Sequence, residues 1–397
     1  MDSGVDPRVD PVWDLTASNP TRCGFEYDAE AVLRALRQPS ALDYDPNPKG
    51  ILSAREAVAR YYAEHLSASE QVAASERASA GADSQTLDPE HIFLTTSTSE
   101  AYSFLFRLLC DPGDEVLIAQ PSYPLFDFLA DLDDVRLVAY PLFYDYGWHL
   151  DPAALRERIT PRTRAIALVH PNNPTGHFTK AAERAALEEI CAERGLALIV
   201  DEVFLDYPLE GSMQPSFNAG EHPALTFVLS GLSKVAALPQ MKAAWIACFG
   251  PEPALGEALA RLEVIADTFL SVNAPVQAAL PDWLAGRAEL QGQIRGRTKR
   301  NLRILDEAFP TGGPVTRLIA EAGWYAVLRI PALATDEETA LALLRERKVA
   351  VHSGDFFGLG PSGWLVVSLL PEEAMFSNGI KQIANYLQDA IEPGVAI

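Results

Sequence analysis

The sequence predicts an α/β protein: a large domain on a mostly parallel sheet covered by helices on both faces, with a smaller α+β domain formed by the N-terminal arm and the C-terminal part. Three observations carry this expectation. The length of 397 residues, set against roughly 150 per domain, allows two or three domains and a large core. Through the middle of the chain, short apolar runs of strand length alternate with longer stretches of helical periodicity. Those runs are apolar on both faces, as strands between two helix layers must be.

Residues 1–43 read as an arm and part of the smaller domain, residues 44–282 as the large domain, and residues 283–397 as the rest of the smaller one. The segment Ser67–Asp88, rich in Ala and Ser, reads as a helix end and a mobile loop without chemistry. Strands are expected at Ile92–Thr95, Glu115–Ala119, Arg136–Ala139, Ala165–His170, Ala197–Val200, Thr226–Leu229 and Ala244–Phe249. Helices are expected at Glu100–Cys110, Pro152–Arg158 and Lys180–Arg194, the last closed by Gly195. From about Pro281 the character changes to a long charged helical stretch, Leu284–Ala308. Strands at Trp324–Arg329 and Trp364–Leu369 follow, with a helix between them.

Composition narrows the function classes. A net charge of −22 repels nucleic acid and anionic lipid, and no apolar run is long enough to span a bilayer. Cys23, Cys110, Cys191 and Cys248 are far apart, so neither a disulfide framework nor a zinc ribbon is expected. The seven histidines show no ligand spacing, and no metal is expected. The acidic start MDSGVDPRVDPVWDL has no signal core, which makes a cytoplasmic location the expectation.

In a parallel sheet, ligands bind at the C-terminal ends of the strands. Four such ends carry polar or reactive groups: Asp201 in LALIVDEVF, Lys234 in TFVLSGLSK, Asn173 in ALVHPNNPTG and Tyr123 in LIAQPSYP. Each has a plain reading, as helix cap, loop charge, turn former and core aromatic respectively. Together they supply an amine for a Schiff base, an anion for a ring nitrogen, a donor for a ring oxygen and a surface for stacking, the parts of a pyridoxal phosphate site. Ser97, Thr98 and Ser99 in LTTSTSEAY open a helix after a strand, where backbone N–H groups and hydroxyls suit a phosphate as well as a simple cap. There is no GxGxxG and no GxxxxGK[ST], so nucleotide readings lack their phosphate loop.

The order TSTSEAY, PSYP, HPNNPTG, DEVF, SGLSK resembles the class I/II aminotransferases among the fold-type I pyridoxal phosphate enzymes, over nearly the whole chain. The resemblance implies transfer of an amino group between an amine or amino acid donor and a 2-oxo acid, through a lysine aldimine and pyridoxamine phosphate. It makes Lys234 the Schiff-base lysine and proton shuttle, Asp201 the partner of the ring nitrogen, Asn173 the partner of the ring oxygen and Tyr123 the stacked aromatic. Ser97, Thr98, Ser99 and Ser233 fall at the phosphate. Tyr44, in DYDPNPKG, resembles a tyrosine that reaches the neighbouring subunit's phosphate, implying a homodimer.

Three positions depart from the usual pattern. Phe204 stands where a tyrosine usually donates to the ring oxygen. Lys242 replaces an arginine at the phosphate, keeping the charge but losing the planar fork. Val366, in GWLVVSLL, stands where an arginine usually clamps the substrate carboxylate, a contact worth roughly 1.5–3 kcal/mol. Arg22 in SNPTRCGF is the first candidate replacement and Arg329 in WYAVLR the second, and His352 in VHSGDFFG is a further candidate to line the pocket. The same fold also serves lyases, decarboxylases and carbon–carbon bond-forming enzymes, a reading that Val366 keeps open. A ligand-sensing regulator would carry a basic winged-helix segment ahead of this fold, whereas here the domain starts near Met1 in an acidic stretch.

Overall fold

The computed structural model describes residues 12–76, 87–211, 213–270 and 272–391, without the side chains of residues 66–76. Leu52–Glu76 is a helix, and the loop expected after it, residues 77–86, lies outside the described residues. The large sheet has eight strands in the spatial order Ile92–Thr95, Ala244–Phe249, Thr226–Gly231, Ala197–Asp201, Thr163–Val169, Glu115–Gln120, Arg136–Tyr144, Trp148–Leu150. Its five central and inner strands, from Thr226–Gly231 to Arg136–Tyr144, run parallel.

Alternation along these strands builds two apolar layers. Leu117, Ile166, Leu168, Leu198, Val200 and Val228 face one, whereas Val116, Ile118, Ala165, Ala167, Ile199 and Phe227 face the other. The helix Thr98–Leu109 covers the second layer with Ala101, Phe104 and Leu105, and Ser97 caps it by accepting from the Glu100 N–H at 3.1 Å. The Glu100 carboxylate accepts in return from the Thr96 N–H at 2.7 Å, so the strand-to-helix turn is fixed from both sides.

The smaller unit is an antiparallel sheet in the order Thr316–Arg317, Tyr325–Arg329, Trp364–Ser368, His352–Ser353. It packs with the helices Ala288–Ala308 and Glu373–Ile391 around Leu302, Leu305, Leu365, Val367 and Phe376. Trp13–Asp14 pairs in parallel with Val349–Ala350, which ties the start of the described chain to this unit.

Two expectations are corrected. The charged stretch after Pro281 is not one helix but two, Ala274–Ala285 and Ala288–Ala308. They part at Gly286, whose N–H closes the first helix on the Asp282 carbonyl and whose backbone gains least from helical order. The strand expected to end at Ala139 continues to Tyr144 through Pro141. Pro141 pairs with Gln120, the last residue of its neighbour, so its missing N–H interrupts no further parallel pairing.

The loop after Val169 meets the smaller unit at Gly176. The Ala322 N–H donates to the Gly176 carbonyl at 3.0 Å, and Gly176 has φ +72°. A Cβ there would stand 2.5 Å from the Ala322 carbonyl oxygen. Gly176→Ala is therefore expected to destabilise the fold by about 1–3 kcal/mol, read as a lower midpoint in thermal unfolding; an unchanged midpoint would show that the contact is slack.

Candidate active site

The topology explains why distant residues converge. Strands Glu115–Gln120, Thr163–Val169, Ala197–Asp201 and Thr226–Gly231 are mutually parallel, so Tyr123, Asn173, Asp201 and Lys234 leave the sheet at one edge. Ile92–Thr95 is separated from Thr226–Gly231 by the antiparallel Ala244–Phe249, and two reversals restore the direction. Ser97, Thr98 and Ser99 therefore emerge at that edge as well. A cavity of about 250 Å³ opens there, and its lining includes Ser97, Thr98, Ser99, Tyr123, Asn173, Asp201, Phe204, Ser233, Lys234 and Lys242.

Lys234 sits in the helical turn Leu232–Val235 directly after its strand. Gly231 lets that strand end lie close to its neighbour, since a Cβ there would be 2.8 Å from the Ala244 Cβ. Desolvation pulls the Lys234 amine down to about 8 against the opposing attraction of Asp201. Its Nζ lies 4.9 Å from the centroid of the Trp324 ring and 5.7 Å from that of Phe204.

Asp201 is buried at the end of its strand, and one carboxylate oxygen accepts from the Val203 N–H at 3.1 Å. Burial pushes its carboxyl up to about 7, against the Val203 hydrogen bond and the Lys234 charge. The adjacent Glu202 has different partners, accepting from the Ser216 hydroxyl at 2.7 Å and the Phe217 N–H at 2.6 Å. Only Asp201 of the two lines the cavity.

The buried Asn173 amide has its Oδ1 end without a hydrogen-bond partner among the described residues. Its loop is held rigid on either side, by Asn172 N–H to the His177 carbonyl at 2.9 Å and Thr175 hydroxyl to Asn172 Oδ1 at 2.8 Å. Tyr123 is 42 % exposed, leaving an aromatic surface at the cavity wall. The hydroxyls of Ser97, Thr98 and Ser99 stand at the positive end of a twelve-residue helix, and Lys242 adds an ammonium. An anionic group, a flat ring needing both a donor and an anion, and a carbonyl that accepts an amine all find partners in this one space.

Other expected residues lie elsewhere. Tyr44 is 78 % exposed and lines a separate cavity of about 430 Å³ with Gly50, Leu270, Asn273 and Gln277. That cavity is larger, yet its lining carries no amine. Arg22 is exposed on the turn Pro20–Arg22, four residues past Ser18, which does line the Lys234 cavity. Arg329 stacks on Trp364 with its guanidinium 4.2 Å from the ring. His352 stacks on Phe356 at 5.0 Å, and burial lowers its pKa. Val366 is fully buried in one apolar cluster with Tyr325, Phe204 and Trp324.

Sequence reasoning passed over Ser18, Thr96 and Tyr325 in the cavity wall and Trp324 beside the lysine. Trp324 and Tyr325 read as ordinary members of an apolar strand, and no local signal marks them. Among the described residues no group of three or more His, Cys, Asp or Glu side chains has the geometry to hold a metal, and no helix is long and apolar enough to cross a membrane.

A family model described as aminotransferase class I and II matches residues 12–383. The chain is 26% identical over 383 residues to a glutamate-pyruvate aminotransferase AlaA of Haemophilus influenzae, covering 94% of this chain and 90% of that one. It is 27% identical to an alanine aminotransferase of Mycobacterium bovis, covering 94% and 85%. Among solved structures, tyrosine aminotransferase of Leishmania infantum superposes with a TM-score of 0.84 at 20% identity, covering 95% of this chain and 92% of that one. Alanine aminotransferase of Pyrococcus furiosus gives 0.82 at 22%, again covering 95% and 92%. At these identities the structural matches establish the shared fold-type I architecture.

The upward shift of Asp201 has a thermodynamic consequence. A carboxyl whose folded pKa exceeds its unfolded value favours the folded state below about pH 4, and that contribution is lost as pH rises through about 7. In protein without added cofactor, Asp201→Asn is expected to raise the thermal midpoint relative to wild type at pH 8 and to change it little at pH 4. An equal effect at both values would show that the carboxylate is not held against its charge.

Proposed function

The chain belongs to the class I and II aminotransferases, and we propose that it holds pyridoxal phosphate in the Lys234 cavity while moving an amino group from an amine or amino acid to a 2-oxo acid. The observation that carries this is the presence of the Lys234 amine and the buried Asp201 carboxyl in one space of about 250 Å³, with the Tyr123 ring in its wall and the start of the helix Thr98–Leu109 and Lys242 in its lining. Bound there, the cofactor supplies an electron sink for the pair released when the donor's Cα–H bond breaks.

The protein's own groups do the rest. Lys234, with an amine brought down to about 8, is partly neutral near physiological pH and so both attacks a carbonyl and carries a proton to and from the substrate carbon. With the cofactor bound, Asp201 would pair with the ring nitrogen and hold its proton, and Asn173 would donate its amide to the ring oxygen. Phe204 has no hydroxyl to add, so Asn173 would act without the second donor that a tyrosine would give. Tyr123 would stack on the ring. Ser97, Thr98, Ser99, Ser233 and Lys242 would hold the phosphate, with Lys242 contributing charge but no bidentate fork.

The charged side chains lining this cavity, among the described residues, are Asp201, Lys234 and Lys242. All three are engaged by the cofactor reading, and Val366 offers no charge. A substrate carboxylate therefore depends on a group from outside the cavity wall. Arg22 is our candidate, because its turn follows Ser18 on the arm that borders the cavity.

We also read the enzyme as a cytoplasmic homodimer. Its four cysteines are free and three of them are buried, consistent with a reducing compartment. Leu42, Tyr44, Leu52 and Leu270 are exposed, and Tyr44 and Leu270 line the second cavity, in keeping with Tyr44 reaching a partner's site.

Lys234→Ala is expected to abolish both the yellow absorbance of the protein supplied with pyridoxal phosphate and all turnover; a fully active variant would reject the mechanism. With wild type, a panel of amines and amino acids scored by loss of that absorbance identifies the donor. If amino acids react, Arg22→Ala is expected to weaken their apparent affinity about tenfold; unchanged affinity rules Arg22 out as the clamp. Mixing Lys234→Ala with Tyr44→Phe subunits tests the dimer: if Tyr44 acts across subunits, the hybrid regains one site of wild-type cofactor affinity that neither parent has, and the absence of such a site means that Tyr44 does not act across subunits.

A further inference from the structure

We infer that Trp324, supported by Phe204, forms an aromatic seat that stabilises the protonated Lys234 amine, which makes Trp324 a positioning residue for the proton this lysine carries. The inference rests on the role proposed for Lys234 and adds to it a residue from the smaller unit. Trp324 is completely buried immediately before the strand Tyr325–Arg329. Its ring centroid is 4.9 Å from Lys234 Nζ, inside the range at which a cation is drawn to the face of an indole, and Phe204 adds a second ring at 5.7 Å.

The indole is locked in this place by packing. It meets Tyr207 edge-on at 5.0 Å and Phe204 edge-on at 5.4 Å. Its own N–H has no hydrogen-bond partner among the described residues, which is unusual for a buried tryptophan. The ring position is thus not explained by a hydrogen bond of its own. Tyr207 links the seat to the lysine backbone, because its hydroxyl donates to the Lys234 carbonyl at 2.6 Å. The Gly323 N–H donates to the Tyr207 carbonyl at 2.9 Å, which fixes the approach of the tryptophan segment. One aromatic assembly therefore holds both ends of the lysine.

A ring face attracts an ammonium and not a neutral amine, so the seat acts on one protonation state only. Around the amine, the loss of water opposes the charged form and Asp201 from its strand favours it, while Lys242 is the other cation lining the cavity. Tyr123 and Tyr325 bring neutral hydroxyl-bearing rings to the wall. In its proposed role, the Lys234 nitrogen would accept the proton given up by the donor carbon and later release it again. Protons balance over the cycle, and the seat holds the ammonium between the two transfers without a tight ion pair to break.

The test titrates the amine itself, in the full-length protein without added cofactor. Lys234 is reductively methylated with formaldehyde and cyanoborohydride across pH 6–10, and its labelling rate is followed by peptide mass analysis; the rate tracks the neutral amine. Trp324→Leu is expected to lower the midpoint by about one pH unit, with Trp324→Phe recovering most of the shift. Because loss of a buried indole can unfold the protein, a second measurement keeps the shape constant. Protein grown with 5-fluoro- and then 5,7-difluorotryptophan should show a stepwise fall in midpoint, and the same labels in a Trp324→Phe background should show none. An unchanged midpoint on fluorination, or equal shifts for the leucine and phenylalanine variants, overturns the inference. A separate arm traps pyridoxal phosphate with borohydride in wild type: adducts on other lysines and none on Lys234 would instead overturn the proposed function.

Discussion

The constraint on which the rest depends is the burial of an acid and a base in one cavity without a direct ion pair between them. Loss of water pushes the Asp201 carboxyl up to about 7 and pulls the Lys234 amine down to about 8, so burial draws both groups toward their neutral forms. Asp201 keeps one oxygen on the Val203 N–H, and Lys234 keeps two ring faces. Each group is held in place but left short of a full partner. That is the condition under which a ligand with a complementary cation and carbonyl gains most from entering.

The parallel sheet creates this arrangement by aligning strand ends, but the smaller unit completes it. Gly176 and Ala322 bring the two parts together beside the Asn173 loop, and an ionic cluster reinforces the joint. His177 donates to Glu183 at 3.0 Å and faces Glu321 at 3.6 Å, while Lys180 also pairs with Glu321. Burial draws the His177 pKa down, yet the two carboxylates outweigh it and hold the ring protonated above its usual range. Two residues past Glu321 the chain turns at Gly323 and presents Trp324 and Tyr325 to the lysine. The joint and the aromatic seat thus belong to one short segment.

The departures at Phe204, Lys242 and Val366 share a physical sense. Each replaces a directional, charge-assisted or hydroxyl contact with a less directional one: an aromatic face, a point charge, an apolar wall. Phe204 loses a donor but becomes part of the seat around Lys234. Val366 loses a charge but packs in the cluster that fixes Trp324 and Tyr325. The wall positions held by Phe204 and Lys242, and the buried Val366, thus offer an aromatic face, an ammonium and an apolar side chain, none of which has the planar fork of arginine.

The sequence by itself determined the alternation of strands and helices, because burial between two helix layers demands apolar runs of a recognisable length. It also marked the four strand-end residues, by their place just past apolar strands and, for Asp201, by the cost of a carboxylate directly after five apolar residues. It missed the break at Gly286 and the continuation past Pro141, where a single residue's backbone cost depends on what lies beside it. It gave no sign of Ser18, Trp324 or Tyr325, because a cavity wall built from segments some 300 residues apart leaves no local period. Which rings surround the lysine, and that Arg329 and His352 stack on aromatic neighbours instead of lining the cavity, were decided by tertiary packing. Side-chain direction across a sheet interface depends on partners that only the folded chain brings within reach.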